Sequence, residues 1–191
     1  MFTPFTFIVV EARTHGMSQH LANYLVPILN GARSVLWLPP SYWTLADQVS
    51  VIGRTVPNVI ADKVGRFNVM IIMSSFTTIL ILALWLPATG NVPIILFAAL
   101  FGIGSGAGIG LTPALCAQIS PIKDIGVRTG TVFAIASIAA LTGSPIGGQI
   151  IVDGHGSFRD TAIFAGVSCG TGVALYIAAR ISLAGLKMTK V

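Results

Sequence analysis

Long apolar segments separated by short polar turns make up most of the chain. The longest run from Phe67 to Leu86, Val92 to Ile119, Val127 to Val152 and Phe158 to about Leu183. Because a helix rises about 1.5 Å per residue, about 20 residues cross the roughly 30 Å of bilayer hydrocarbon. Each of these four segments is therefore predicted to be a transmembrane helix.

Shorter apolar stretches occupy the first third of the chain. Met1 to Val10 covers only about 15 Å, so it is predicted to be the second half of a crossing that ends at Glu11. Leu21 to Ala32 and Val49 to Ala61 together supply about 25 residues, enough for one more crossing. The pattern predicts an all-α membrane protein with about six transmembrane helices in a single bundle over residues 1–191.

Residues 33–48 interrupt the second crossing with charges at both ends and two adjacent prolines, Pro39 and Pro40. Proline cannot continue a helix, so this segment does not belong inside one. One hypothesis is an insertion, either a translated intron or a wrong gene model. The other is a genuine interfacial loop, since its tryptophans and its tyrosine favour the headgroup zone.

Composition supports a membrane protein and excludes several other classes. The chain is 54% hydrophobic and 9% charged, with a mean hydropathy of +0.86, whereas a soluble domain carries roughly 25% charged residues. The net charge of +5 does not indicate nucleic-acid binding, because the basic residues lie at the ends of the spans rather than on one face. Cys116 and Cys169 both lie in apolar runs, so neither a disulfide framework, a metal site nor a cofactor is expected.

The basic residues also predict an orientation. One side of the membrane receives most of them and the other side receives Arg13 and Arg159. Lysine and arginine are enriched in cytoplasmic loops, so the richer side is predicted to be cytosolic, together with both termini. The residues on that side are Lys63, Arg66, Lys123, Arg128, Arg180, Lys187 and Lys190. We expect a multi-pass protein of the plasma membrane, with the vacuole or another endomembrane as the alternative.

A charged turn between two apolar segments carries the most specific motif, residues 53–68, GRTVPNVIADKVGRFN. Asp62, Lys63 and Arg66 cannot lie cheaply in hydrocarbon, and Gly65 permits a short turn. Arg54 lies about two helical turns inside the apolar segment, where an arginine is costly, and is therefore a candidate functional residue.

Residues 50–68 resemble the loop signature of the major facilitator superfamily, G-x-x-x-D-K/R-x-G-R, in the form seen in its fungal monocarboxylate-transporter-like and riboflavin-transporter-like branch. The resemblance implies that this chain corresponds to the C-terminal half of such a carrier. It also implies a gating motif formed by Gly53, Asp62, Lys63, Gly65 and Arg66. Arg54 would bind a substrate carboxylate. Ser50 stands where the animal branch has an acidic residue tied to proton coupling, which departs from the pattern of a proton symporter.

Purely structural roles for these residues are the alternative. Arg54 could snorkel or pair with another helix, and the charged turn could simply anchor the topology. Asn30 is a second candidate for substrate contact. Hydrogen bonding between helices is the alternative for Asn30, and the expected role of Gln149, Thr112 and Thr142.

The resulting prediction is a non-enzymatic secondary carrier of a small organic anion, a vitamin or a pathway metabolite. We expect it to be a truncated form whose partners are the lipid bilayer, the substrate and a missing N-terminal half. The alternative is a degenerate fragment without transport activity, or a membrane interaction partner of a full carrier. No catalytic grouping of a nucleophile, a histidine and an acid at a suitable spacing is present in the sequence.

Overall fold

The computed structural model describes residues 3–33, 61–88 and 90–184. These ranges contain helices and turns but no strand, which confirms the predicted all-α class. Residues 61–64 are also helical, and Ile122–Asp124 form a 3₁₀ turn. The helices are α1 (Thr3–Thr14), α2 (Gln19–Arg33), α3 (Arg66–Leu80), α4 (Asn91–Gln118), α5 (Ile125–Asp153) and α6 (Arg159–Ala184). α3 continues directly into a π-helical segment, Ile81–Trp85.

Four helical stretches are long and apolar enough to cross a membrane, which agrees with the four long crossings predicted. They are Arg66–Trp85 with 20 residues, Asn91–Gln118 with 28, Ile122–Asp153 with 32 and Arg159–Leu183 with 25. α1 and α2 have only 12 and 15 residues. The predicted count of about six crossings is therefore shown in part. Apart from Arg33, which ends α2, the predicted insertion lies outside the described residues.

The helices run back and forth between two ends of the bundle. At the first, which we call the basic end, α3 begins while α4 and α6 end: Arg66 contacts Ala114 and Arg180 contacts Asn68. At the second, which we call the Glu11 end, α1 and α3 both finish. Arg66 and Arg180 thus share one end, as the distribution of basic residues predicted.

The most extensive helix–helix packing is that of α2 and α3 against α4, and of α3 against α6. A large apolar cluster at the Glu11 end contains Leu25, Trp85 and Phe97, and a smaller one toward the basic end contains Phe67 and Leu111. α5 differs from the other long helices because, of its residues, only Gly147 is buried. Many of its apolar side chains are therefore exposed, as they are in helices surrounded by lipid or by further helices.

Candidate functional site

The charged turn at the basic end is built around one glycine. Gly65 has φ 104° and ψ 133° and caps the start of α3. Its N–H donates to the Ala61 carbonyl at 2.8 Å, and its own carbonyl accepts from Val69 N–H at 3.1 Å. A side chain at this positive φ would crowd the backbone, so glycine lets the chain reverse within a single residue. The short turn predicted at Gly65 is confirmed.

Arg66 joins this turn to the end of α4. Its Nε and Nη2 donate to Asp62 Oδ1 at 3.2 and 3.1 Å, while Nη1 donates to the Ala114 carbonyl at 3.1 Å. We call this group of Asp62, Arg66 and Ala114 the Arg66 clasp. A guanidinium is favourable near the C-terminus of a helix because the macrodipole is negative there. The ion pair itself is half-exposed, so it contributes at most about 1 kcal/mol.

Other polar contacts connect the remaining helices at the basic end. Arg180 Nε donates to Asn68 Oδ1, which joins α6 to α3, and Asn68 Nδ2 donates to the Val64 carbonyl at 2.8 Å. Arg128 Nη1 lies 3.4 Å from the Ile119 carbonyl, just beyond α4. The Arg180–Asn68 pair was not predicted. The available signal was an arginine in the last two turns of a mostly apolar helix and an asparagine as the last residue of the motif.

Of the seven predicted site residues, the structure brings Asp62, Gly65 and Arg66 together, with the exposed Lys63 beside them. Gly53 and Arg54 lie outside the described residues. The backbone of Asn30 belongs to α2, but its side chain lies outside the described part. The substrate-binding roles of Arg54 and Asn30 therefore stay predictions.

Three polar residues were predicted to form hydrogen bonds between helices, and each instead bonds within its own helix. Thr112 Oγ1 donates to the Gly108 carbonyl at 2.8 Å and Thr142 Oγ1 to the Ile138 carbonyl at 3.0 Å. Gln149 Nε2 donates to Asp153 Oδ1 at 2.9 Å. The prediction is wrong because a hydroxyl in a helix can reach the carbonyl four residues earlier without any partner helix.

A crevice of about 430 Å³ lies among α3, α4, α5 and α6. Its walls are mostly apolar, and two of its hydroxyl groups, those of Thr112 and Ser137, already donate to carbonyls of their own helices. The lining residues with larger side chains are Met70, Ile109, Thr112, Val132, Phe133 and Tyr176. The remaining lining residues, Gly108, Ala136, Ser137 and Ala140, are small and leave the space open.

Glu11 is buried inside the bundle, in contrast to its predicted position at the polar end of a span. It was predicted to end the first apolar segment, but it lies within α1 with 4% of its surface exposed. Its Oε2 accepts a hydrogen bond from Trp85 Nε1, and Trp85 is 1% exposed. The available signal was helical spacing: Pro4, Ile8 and Glu11 follow one another at intervals of four and three residues, and all three are buried on one face.

The π-helical segment holds Trp85 in place. Leu86 N–H donates to the Ile81 carbonyl at 3.1 Å, across five residues rather than four. The Trp85 ring stacks on Phe97 of α4 with centroids 5.5 Å apart and planes 15° apart. On another side of the segment, Leu82 lies so close to Gly166 of α6 that a Cβ there would be 2.4 Å from Leu82 Cδ2. Wide turns of this kind occur frequently at functional sites.

Comparison with known proteins identifies relatives over nearly the whole chain. The chain is 51% identical over 189 residues to the MFS-type transporter opdF of Penicillium oxalicum, an alignment that covers 99% of this chain and 41% of that protein. It is 44% identical over 188 residues to the MFS transporter asaE of Aspergillus flavus, with 98% and 39% covered. It is also 36% identical over 187 residues to the aspyridones efflux protein apdF of Emericella nidulans, with 97% and 34% covered.

The chain therefore spans about two fifths of the length of the most similar of these relatives. No solved structure gives a significant match. The Major Facilitator Superfamily model matches residues 13–185, which is most of the chain. We conclude that this chain belongs to the Major Facilitator Superfamily of membrane transporters.

Proposed function

We propose that this chain forms part of a secondary carrier that exports a small, largely apolar organic metabolite across the plasma membrane. The crevice among α3, α4, α5 and α6 carries the proposal. Its volume of about 430 Å³ lies within the range of small-molecule sites, roughly 300–1,000 Å³, and its lining is mainly apolar, as such sites are. The names of two relatives as efflux proteins, for fujikurins and for aspyridones, support export as the direction.

The chemistry of the crevice favours some substrates over others. Phe133 and Tyr176 offer aromatic surface, whereas the Thr112 and Ser137 hydroxyls already donate to helix carbonyls. A vitamin with many polar groups would leave some of them unpaired here, which is costly. We therefore favour a metabolite with an apolar ring and one acidic group over a vitamin. Arg54 is proposed to bind the acidic group as a carboxylate.

The Arg66 clasp is proposed to hold the basic end closed in one state of the transport cycle. Carriers of this kind work by rocking one half against the other around a central site. A contact that must break in every cycle cannot be strong, and the clasp combines an exposed ion pair with one carbonyl contact. The other half is proposed to come from a longer polypeptide, because the relatives are more than twice as long as this chain.

A pair of variants on α5 tests the role of the crevice. Ala136 lines the crevice, whereas Ala134 is exposed and lies about 200° around the helix from it. The transcript is first sequenced, and its full product is then expressed in a strain that lacks the gene. The measurement is the ratio of extracellular to intracellular metabolites by mass spectrometry. Ala136→Trp is expected to reduce export of the accumulating compound strongly, while Ala134→Trp leaves it near the wild-type level.

Equal export by the two tryptophan variants, at equal amounts in the membrane, would refute the crevice as the substrate site.

Arg54→Ala is expected to weaken export of acidic compounds more than of neutral ones. Loss of export of both classes in equal measure would contradict its role in binding the carboxylate.

The second candidate is a non-transporting fragment or an interaction partner of a full carrier. It is favoured by one observation, the coverage of about two fifths of the relatives' length. The transcript separates the two proposals: six further apolar segments in the same reading frame support the carrier. A transcript without them, together with unchanged metabolite export when the gene is deleted, supports the fragment.

A further inference from the structure

Glu11 is the acidic side chain that the fold buries. It is 4% exposed, whereas the other acidic residues in the described part of the chain, Asp62, Asp124, Asp153 and Asp160, are all exposed. It lies on the buried face of α1, in contact with the largest apolar cluster of the bundle through its hydrogen bond to Trp85. An ionisable group at such a position is costly, and such residues are usually functional.

No positively charged side chain forms an ion pair with this carboxyl among the described residues. α4 carries no acidic, basic or histidine residue, and neither does the π-helical segment. The charged and histidine side chains of the elements at this end are exposed: Arg13, His15, His20, Asp153, His155, Arg159 and Asp160. Arg13 is the nearest along α1 but is exposed. His15 follows the end of α1, one helical turn beyond Glu11, and interacts with the carboxyl only electrostatically. Its Nδ1 lies 3.0 Å from the Glu11 backbone carbonyl rather than bonding to the carboxyl.

The need of Trp85 for an acceptor does not explain an acid at this position. A buried indole N–H requires one acceptor, and a glutamine carbonyl would provide it without a charge. An ionised carboxylate removed from water costs several kcal/mol unless it is paired. Glutamate, which can be either neutral or charged, therefore occupies a site where a permanently neutral residue would satisfy the same contact.

We propose that the Glu11 carboxyl is a proton-binding site whose proton exchanges with water as the carrier changes conformation. This rests on the proposed transport function. At 4% exposure and packed against Trp85, the carboxyl leaves no space for an organic cation, so a proton is the ligand that fits.

Only a proton is exchanged, between the Glu11 carboxyl and water. In the conformation described, the neutral carboxyl stays buried and accepts the Trp85 N–H. When it gives its proton to water, the resulting carboxylate needs hydration, which favours movement of α1 away from Trp85. When the carboxylate takes a proton from water again, the neutral group can return to the apolar cluster. Proton occupancy and the position of α1 are then linked, so each biases the other by the same free energy.

The first experiment measures protonation without any substrate. The chain is placed in lipid vesicles with Trp37→Phe and Trp43→Phe, which leaves Trp85 as the remaining tryptophan. Trp85 emission and the infrared carboxyl band are then followed against pH. Both are expected to show the same one-proton transition, which Glu11→Gln abolishes. Glutamine still offers Trp85 an acceptor, so the variant is expected to fold. Asp153→Asn changes an exposed acid at the same end and should leave the transition intact.

The second experiment measures the linked movement of α1. Ile8 is fully buried on the face of α1 that carries Glu11. Ile8→Cys is introduced in a Cys116→Ala, Cys169→Ala background, and its labelling by a maleimide is timed across the same pH range. The same series in Glu11→Gln corrects for the intrinsic reactivity of the thiol. Labelling relative to that control is expected to rise several-fold as pH passes upward through the Trp85 transition.

The two experiments test the proton site and its link to conformation separately. Trp85 emission that titrates identically in Glu11→Gln would overturn the proton site itself. A normal titration with no change in relative labelling would overturn its link to conformation. Neither result depends on metabolite export, so failure of the transport function would be seen separately, in the export measurements.

Discussion

Trp85 is held by two different interactions with residues that are distant in sequence. Its N–H donates to the Glu11 carboxyl, and its ring stacks on Phe97, whose own ring lies 5.2 Å from that of Phe101. Stacked aromatic pairs contribute about 0.5–1.5 kcal/mol beyond the area they bury. The hydrogen bond contributes little net energy while intact, but either partner left alone in the core is costly.

Trp85→Phe should therefore destabilise the chain mainly through Glu11. Phenylalanine keeps an aromatic ring against Phe97 but removes the N–H, so the buried carboxyl loses a donor. We expect a loss of about 1–3 kcal/mol in the free energy of unfolding, measured by denaturation of the purified chain in detergent. In a Glu11→Leu background the same change should cost clearly less, because no carboxyl remains to be left without its donor. Equal losses in both backgrounds would show that the packing of the larger indole ring dominates.

The role of an individual residue could be predicted only where that role depends on residues close to it in the sequence. The turn at Gly65 was predicted because a turn is a property of a few consecutive residues. The Asp62–Arg66 pair was not predicted, although its i,i+4 spacing is equally local. The third member of the clasp, the Ala114 carbonyl, could not be predicted, because a backbone group 48 residues away has no sequence signature. Glu11 was misassigned for a related reason: beside Arg13 it resembles the polar end of a span, and its partner Trp85 is 74 residues away in the sequence.

At the scale of elements, α3 shows what hydrophobicity does and does not determine. The predicted span, residues 67–86, matches the observed stretch Arg66–Trp85 to within one residue at each end. The π-helical segment at its end was not predicted, since no residue type specifies such a turn. It lies where α3 meets α6 and α4 simultaneously, with Leu82 against Gly166 and Trp85 against Phe97. The segment thus lies at a contact among three helices.

Gly166 should therefore be more sensitive to substitution than another glycine of the same helix. A Cβ at Gly166 would lie 2.4 Å from Leu82 Cδ2 and 2.8 Å from Leu82 Cγ, whereas one at Gly172 would meet nothing within 4 Å. We expect Gly166→Ala to cost about 1–3 kcal/mol through overpacking. Gly172→Ala should be neutral or stabilise by up to about 1 kcal/mol, because alanine favours helix. Thermal unfolding followed by circular dichroism compares the two, and a Gly166→Ala variant as stable as Gly172→Ala would contradict the close approach of α6.

At the scale of the whole molecule, the two ends of the bundle are held by different kinds of contact. The Glu11 end is closed by the larger apolar cluster around Trp85, whereas the basic end combines a smaller apolar cluster with half-exposed arginines. Surface ion pairs are weak and exchange readily with water, while a packed apolar cluster does not. The basic end is therefore the one expected to open first when the helices rearrange.

Asp62→Asn tests whether the clasp governs movement rather than stability. Because the pair is exposed, the substitution should change the free energy of unfolding by less than about 1 kcal/mol. In the full product of the transcript it should nevertheless change the export rate several-fold, since Arg66 loses its charged partner. Lys123→Gln removes an exposed charge outside the gating motif and is the matched control. Export that is unchanged in Asp62→Asn, or changed equally in Lys123→Gln, would contradict a gating role.

The membrane class and the four long crossings could be derived from the sequence because each follows from the length and composition of one segment. The arrangement of the helices could not, since α5 and α4 are similarly apolar but only α4 is packed on several sides. The family signature placed the turn at Gly65 correctly. The crevice among α3, α4, α5 and α6 depends on small residues of α4 and α5 meeting larger side chains of all four helices, which no single segment reveals.

The π-helical turn has a consequence for changes in chain length. Losing one residue from an ordinary helix rotates everything beyond the gap by about 100°, which would turn a buried face outward. The turn that Ile81 and Leu86 close contains one residue more than an α-helical turn does. If one residue between them were removed, the Leu86 N–H and the Ile81 carbonyl would be four residues apart, as in an α-helix. The helix on either side, including Trp85, would then still face the same neighbours. This is the position in α3 where natural length variation should be tolerated best.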